Sequence, residues 1–227
     1  VYPYICLAVF LMGSLARFDR DQYTWKSDSS QMLRKGQLRW GSNLFHIGIL
    51  FLFGGHTVGL LTPHFMYEPF ITAEQKQLVA VTAGGIAGVI CFIGLTLLLH
   101  RRIFDDRIRL TSHRTDLGIL IILWVQLVLG LITLPYSFGH KDAGVMLALA
   151  DWAQRIVTLR PDAAGLVALD WPYKVHLVLG MTICLLCPFS RLVHVWSGFG
   201  TLAYIVRPYQ VMRRRKLGLN ADTTRQR

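Results

Sequence analysis

The amino-acid sequence predicts an all-α integral membrane protein, a single domain over residues 1–227 with five transmembrane helices, its N-terminus outside and its C-terminus cytoplasmic. Three observations carry this reading. The chain is 53% hydrophobic with a mean hydropathy of +0.42, more apolar surface than a soluble domain of this length needs for its core. Long windows contain no charged side chain, and the basic residues collect in alternate connections.

A hydrocarbon layer of about 30 Å takes roughly 20 apolar helical residues to cross. Residues 43–62, 78–99 and 117–135 contain no Asp, Glu, Lys or Arg and read as spans. The first span, 2–18, is uncharged through residue 16, and the fifth, 175–196, is interrupted only by Arg191. Because basic residues follow the first helix rather than precede it, an uncleaved anchor is expected.

The net charge of +11 does not point to nucleic acid, because of where it sits. Residues 17–40 carry Arg17, Arg20, Lys26, Arg34, Lys35 and Arg39, residues 101–114 carry five Arg, and the tail from Arg207 carries Arg213, Arg214, Arg215 and Lys216. These connections share one side, which the positive-inside rule makes cytoplasmic. The 63–77 loop and the 136–174 segment then lie outside. The tail suits anionic membrane lipid or a partner protein, and the Ser-rich 17–40 loop suits docking.

Within 142–159, Val145, Leu149, Trp152 and Ile156 recur at helical spacing, with Asp151, Gln154 and Arg155 between them. The pattern predicts an amphipathic helix on the outer membrane surface, ended by Pro161 and Gly165. Trp40, Tyr67, Trp171, Tyr173, Trp196 and Tyr204 read as interfacial belts. Cys6, Cys91, Cys184 and Cys187 all fall inside spans, and the Cys184/Cys187 pair reads as apolar packing rather than as a redox or metal site.

Four of the eight histidines lie in spans: His46 and His56 in the second, His176 and His194 in the fifth. A polar ring in hydrocarbon needs a partner, either an interhelical hydrogen bond or a metal. Ten residues of helix separate His46 from His56, roughly 15 Å, and eighteen separate His176 from His194, roughly 27 Å. The two helices are antiparallel, so His46 should meet His194 near the cytoplasmic side and His56 should meet His176 near the outer side. The gaps differ by about 12 Å, which tilt, or a bend at Pro188, must absorb.

Facing imidazoles suit both axial positions of a haem iron, whereas zinc wants three or four ligands at one point. Gly54, Gly55, Gly59 and Gly180 leave room for a macrocycle, and Gly84, Gly85 and Gly88 suit either that or close helix packing. A haem-free transporter or anchor, with these histidines hydrogen-bonded or relaying protons, is the reading of a different class. His100, His113 and His140 read as solvated, and His64 as a loop or capping residue.

The ordered motifs Asn43-Leu44-Phe45-His46-Ile47-Gly48, Gly55-His56, Leu61-Thr62-Pro63-His64, His176-Leu177-Val178-Leu179-Gly180-Met181 and Pro188-Phe189-Ser190-Arg191-Leu192-Val193-His194 resemble the gamma subunit of membrane-bound respiratory nitrate reductase. The likeness extends from Tyr2-Pro3-Tyr4 through Gln22-Tyr23-Thr24-Trp25 and Ser29-Ser30-Gln31-Met32-Leu33 to the last span.

The resemblance implies a cytochrome b of a bacterial or archaeal cytoplasmic membrane. It would oxidise quinol near the outer face and pass electrons through two b haems to an iron-sulfur beta subunit, with nitrate reduced on a molybdenum-containing alpha subunit. It places the distal haem on His56 and His176 and the proximal haem on His46 and His194. It also implies quinol binding by Gly55, His56 and Lys76, and a proximal-haem propionate on Arg102. A related two-haem subunit of another respiratory complex, such as a heterodisulfide-reductase-like one, is the nearest rival. The 17–33 segment argues against it, while 136–174 and the tail after Leu217 depart from the pattern.

Overall fold

The computed structural model describes residues 1–21, 35–139 and 143–197, and all regular structure among them is helical. The helices are α1 (Tyr2–Asp21), α2 (Lys35–Leu61), α3 (His64–Tyr67), α4 (Ala73–Phe104), α5 (Asp106–Leu110), α6 (Arg114–Gly139), α7 (Gly144–Val157), α8 (Ala164–Val167) and α9 (Trp171–Leu186). Two 3-10 turns follow, Cys187–Phe189 and Arg191–Val193. Residues 22–34 of the expected 17–40 docking loop, His140, Tyr204 and the basic tail lie outside the described residues.

Local chemistry sets the boundaries. A reciprocal capping box starts α4: the Gln75 amide N–H donates to the Thr72 hydroxyl at 3.3 Å, and the Thr72 N–H donates to the Gln75 side chain at 3.0 Å. Asp105 ends α4 and caps α5, accepting from the Arg107 and Ile108 N–H groups. Trp171-Pro172 opens α9, where a missing N–H costs nothing.

Among the described residues, four segments are long and apolar enough to cross a membrane: α2, α4, α6 and Trp171–Phe189. This makes the chain multi-pass by length and composition. The first predicted span is helical, but Arg17, Asp19, Arg20 and Asp21 occupy the end of α1 and shorten its uncharged stretch. The fifth predicted span is not one helix. It stops at Leu186, because Pro188 lacks an N–H and its ring crowds the preceding turn, and Ser190 is extended between the two 3-10 turns. His194 therefore lies beyond a break, where a uniform helical rise from His176 does not apply.

The packed neighbours run α2 to α4, α4 to α6, α6 to α9 and α9 to α1, an arc in which α2 and α9 are not a packed pair. Glycines set the first contact. A Cβ on Gly48 would stand 2.5 Å from that of Cys91, and one on Gly94 would meet the Phe45 backbone nitrogen. Gly88 takes Leu131 of α6 in the same way, whereas nothing lies within 4 Å of Gly84. Gly94→Ala is expected to cost about 1–3 kcal/mol by overpacking, read as a lower thermal midpoint in detergent. Gly118→Ala, which meets nothing within 4 Å, should leave the midpoint unchanged or raise it slightly.

Two expectations change. Tyr67 and Tyr173, expected in the interfacial belts, are buried against their own chain. The predicted amphipathic helix exists as α7, but Ala150, Ala153 and Ile156 form its buried face and seat it against α2. Gln154 Nε2 donates to the Leu60 carbonyl at 3.0 Å, satisfying a backbone group at the end of α2. His100, read as solvated, is exposed, with its ring 3.3 Å from Gln37 and beside Phe104. Cys6, Cys91, Cys184 and Cys187 are all free thiols, three of them buried, in keeping with a packing role.

Candidate functional site

The four span histidines form two facing pairs, one towards each end of α2. His56 and His176 have ring centroids 6.3 Å apart with planes inclined by 37°. His46 and His194 are 6.4 Å apart and inclined by 69°. Two imidazoles that share one metal through nitrogens about 2.0 Å from it place their centroids about 6.3 Å apart. The spacing suits a common axial ligation and is too long for a direct ring-to-ring hydrogen bond.

The ring nitrogens agree on polarity. Nδ1–H donates to a backbone carbonyl in every case: His46 to Ser42 at 2.7 Å, His56 to Leu52 at 2.7 Å, His176 to Gln126 at 3.1 Å and His194 to Arg191 at 2.6 Å. The same tautomer follows in all four, with the lone pair on Nε2; that of His176 also lies 3.4 Å from the Gln126 amide nitrogen. Metal-ligating histidines carry this carbonyl-anchored arrangement, which also raises their basicity. Gly54, Gly55 and Gly59 meet nothing within 4 Å, so the α2 surface flanking His56 is free of steric obstruction. The donor set therefore fits a flat group held between two imidazoles at each end.

Sequence reading missed the support behind His176. Gln126 of α6 donates from Nε2 to the His176 carbonyl at 3.0 Å, while its own carbonyl takes the His176 Nδ1–H. A Cβ on Gly130 would lie 2.9 Å from His176 Cε1, and one on Gly180 would lie 3.1 Å from Gln126 Nε2. Gly180 thus makes room for an amide, not for a macrocycle. The available signal was that Gln126 is the one carboxamide in the charge-free window 117–135.

At the His46/His194 end, Arg102 Nη1 pairs with Asp116 at 3.1 Å and Arg191 Nε lies 3.3 Å from the other Asp116 oxygen. Arg102 is buried, so this is an internal ion network rather than a phosphate-facing surface charge. Arg17 of α1 donates from Nη1 to the Pro188 and Ser190 carbonyls at 2.8 and 2.9 Å, fixing the 3-10 segment that carries His194. Trp196, read as a belt residue, donates to Ser14 at 3.1 Å.

At the other end, the Lys76 ammonium stands 3.8 Å over the Tyr67 ring. Its Nζ is buried and has no hydrogen-bond partner among the described residues, so its direct contact is Tyr67 and not His56. Burial first, and then the neighbouring Glu68 carboxylate, push the Tyr67 phenol above its usual range. His64 lies 3.2 Å from Glu68, in keeping with a local loop role.

Comparison with known proteins gives one answer. The nitrate reductase gamma subunit family matches residues 1–215. The respiratory nitrate reductase 1 gamma chain of Escherichia coli strain K12 is 50% identical over 216 residues, 95% of each chain. The respiratory nitrate reductase 2 gamma chain of the same organism is 49% identical over 218 residues, again 95% of each. The nitrate reductase gamma chain of Bacillus subtilis strain 168 is 37% identical over 216 residues, 95% of this chain and 96% of the relative. With the multi-pass helical fold, matches of this extent show that the chain belongs to the nitrate reductase gamma subunit family.

Proposed function

We propose that this chain is the di-haem cytochrome b membrane subunit of a respiratory nitrate reductase. In this reading α1 completes a five-span bundle with the N-terminus outside and the C-terminus in the cytoplasm of a bacterium or archaeon. The observation that carries it is the pair of facing imidazole couples, all four with Nδ1–H bound to a carbonyl and the lone pair therefore on Nε2. His56 and His176 would hold the outer haem, and His46 and His194 the inner one.

When bound, the haems supply one-electron transfer between quinol near the outer face and an iron-sulfur beta subunit on the cytoplasmic side. A molybdenum-containing alpha subunit would then reduce nitrate. The chain's own residues supply position and environment. Gly55 leaves backbone open beside His56, so a planar quinol ring can approach there. Lys76, dry and held against Tyr67, offers three N–H donors to a quinol oxygen. A guanidinium has five N–H donors, so Arg102 retains capacity for a propionate beyond its pairing with Asp116.

The test is a pyridine haemochrome count with a reduced-minus-oxidised spectrum on the purified complex. The wild type is expected to hold two b haems in this chain, and His56→Ala to hold one that remains low-spin. A folded wild-type chain without haem would overturn the proposal.

A further inference from the structure

Three of the four histidines take their carbonyl acceptor from their own chain segment: Ser42 and Leu52 lie one turn back on α2, and Arg191 lies three residues before His194. Whatever those helices do, the ring and its acceptor move together. His176 differs. Its acceptor is the Gln126 carbonyl on α6, fifty residues away. The strength of that bond depends on how α6 sits against α9.

The α6–α9 contact is built to hold one register. The Gln126 side chain returns a bond to the His176 carbonyl at 3.0 Å, so the two residues are tied in both directions. Gly130, one turn along α6, makes way for the His176 ring, and Gly180, one turn along α9, makes way for the Gln126 amide. Further along the same seam, Ser137 Oγ and Tyr173 Oη are 2.8 Å apart, and Tyr173 also donates to the Thr133 carbonyl at 3.3 Å. A small shift in register would stretch the His176 Nδ1–H bond before it disturbed the other three histidines.

We propose that Gln126 is a positioning residue for the outer haem, its reciprocal bond with His176 fixing the Nδ1–H···O contact across α6 and α9 and keeping that haem's potential low. The inference rests on the di-haem reading. A well-made bond from Nδ1–H raises the electron donation of the ligand and favours ferric iron, and lengthening it favours ferrous iron. Gly130 belongs to the same device, since only a residue without Cβ leaves the ring where the Gln126 carbonyl can reach it.

The experiment is a redox titration with optical and EPR detection on the intact complex, for wild type, Gln126→Met and Gly130→Ala. Methionine keeps much of the shape of glutamine and removes the amide donor. Gln126→Met is expected to retain both haems, leave the inner midpoint unmoved and raise the outer one. At the wild-type midpoint its reduced-to-oxidised ratio should rise about threefold, which is about 28 mV for a one-electron couple. Gly130→Ala should shift the low-spin g values of the outer haem or remove that haem alone, and it decides the matter if Gln126→Met does not assemble. Unchanged outer midpoint and g values in the variants, or equal changes at both haems, would overturn the role of Gln126. Absence of haem from the wild type would instead overturn the di-haem reading on which it rests.

Discussion

His194→Ala is expected to remove the inner haem and to lower quinol-dependent nitrate reduction by the assembled complex more than about 100-fold, since loss of an axial ligand exceeds the 10–100-fold effect of second-sphere changes. His194 is the ring that faces His46, at 6.4 Å between centroids, and no group of three or more His, Cys, Asp or Glu side chains suited to a metal occurs among the described residues. The 3-10 segment that carries it is anchored independently, by Arg17 on the Pro188 and Ser190 carbonyls and by Arg191 near Asp116. Truncation should therefore leave the bundle folded. Two readouts separate the roles: the haem count falls from two to one, and an artificial reductant that bypasses this chain still drives nitrate reduction. Retention of both haems with normal spectra would remove His194 from the ligand set.

The helices and the pairing of the rings were legible because both follow from regular geometry. Charge-free windows of about 20 residues mark α2, α4 and α6, and antiparallel order sets His46 opposite His194 and His56 opposite His176. What regular geometry does not describe was hidden. A continuous fifth helix implies a mismatch of about 12 Å, yet Pro188 ends α9, and the uniform rise behind that figure does not hold beyond Leu186.

The partner of a membrane polar group is equally hard to read when it lies on another helix. Gln126 and His176 are fifty residues apart, and nothing in local periodicity links them. Tyr67 and Tyr173 show the converse failure. Aromatic residues near span ends are commonly interfacial, but one lies beneath Lys76 and the other bonds to Ser137, so tertiary contacts overrode the positional rule.

Asp116→Asn is expected to cost about 3–5 kcal/mol, the range for removing one partner of a buried ion pair. Asp116 side-chain exposure is 14%, against 9% for Arg102 and 16% for Arg191, so solvent screens the network little. Its two carboxylate oxygens reach guanidiniums on different segments, Arg102 at the end of α4 and Arg191 beyond the break after α9. Asparagine keeps the volume but removes the charge that offsets both cations.

The damage should be local as well as global, because the Arg191 carbonyl accepts the His194 Nδ1–H at 2.6 Å. A looser Arg191 turn moves the acceptor that orients the inner ligand, while His56 and His176 at the far end keep theirs. The thermal midpoint in detergent should fall, and the inner haem should be lost before the outer one on mild heating. Adding Arg102→Gln should restore part of the stability, since the second change removes a cation left without its counter-charge. Parallel loss of both haems would limit Asp116 to holding the bundle together, and an unchanged midpoint would mean that the two arginines find equal compensation without it.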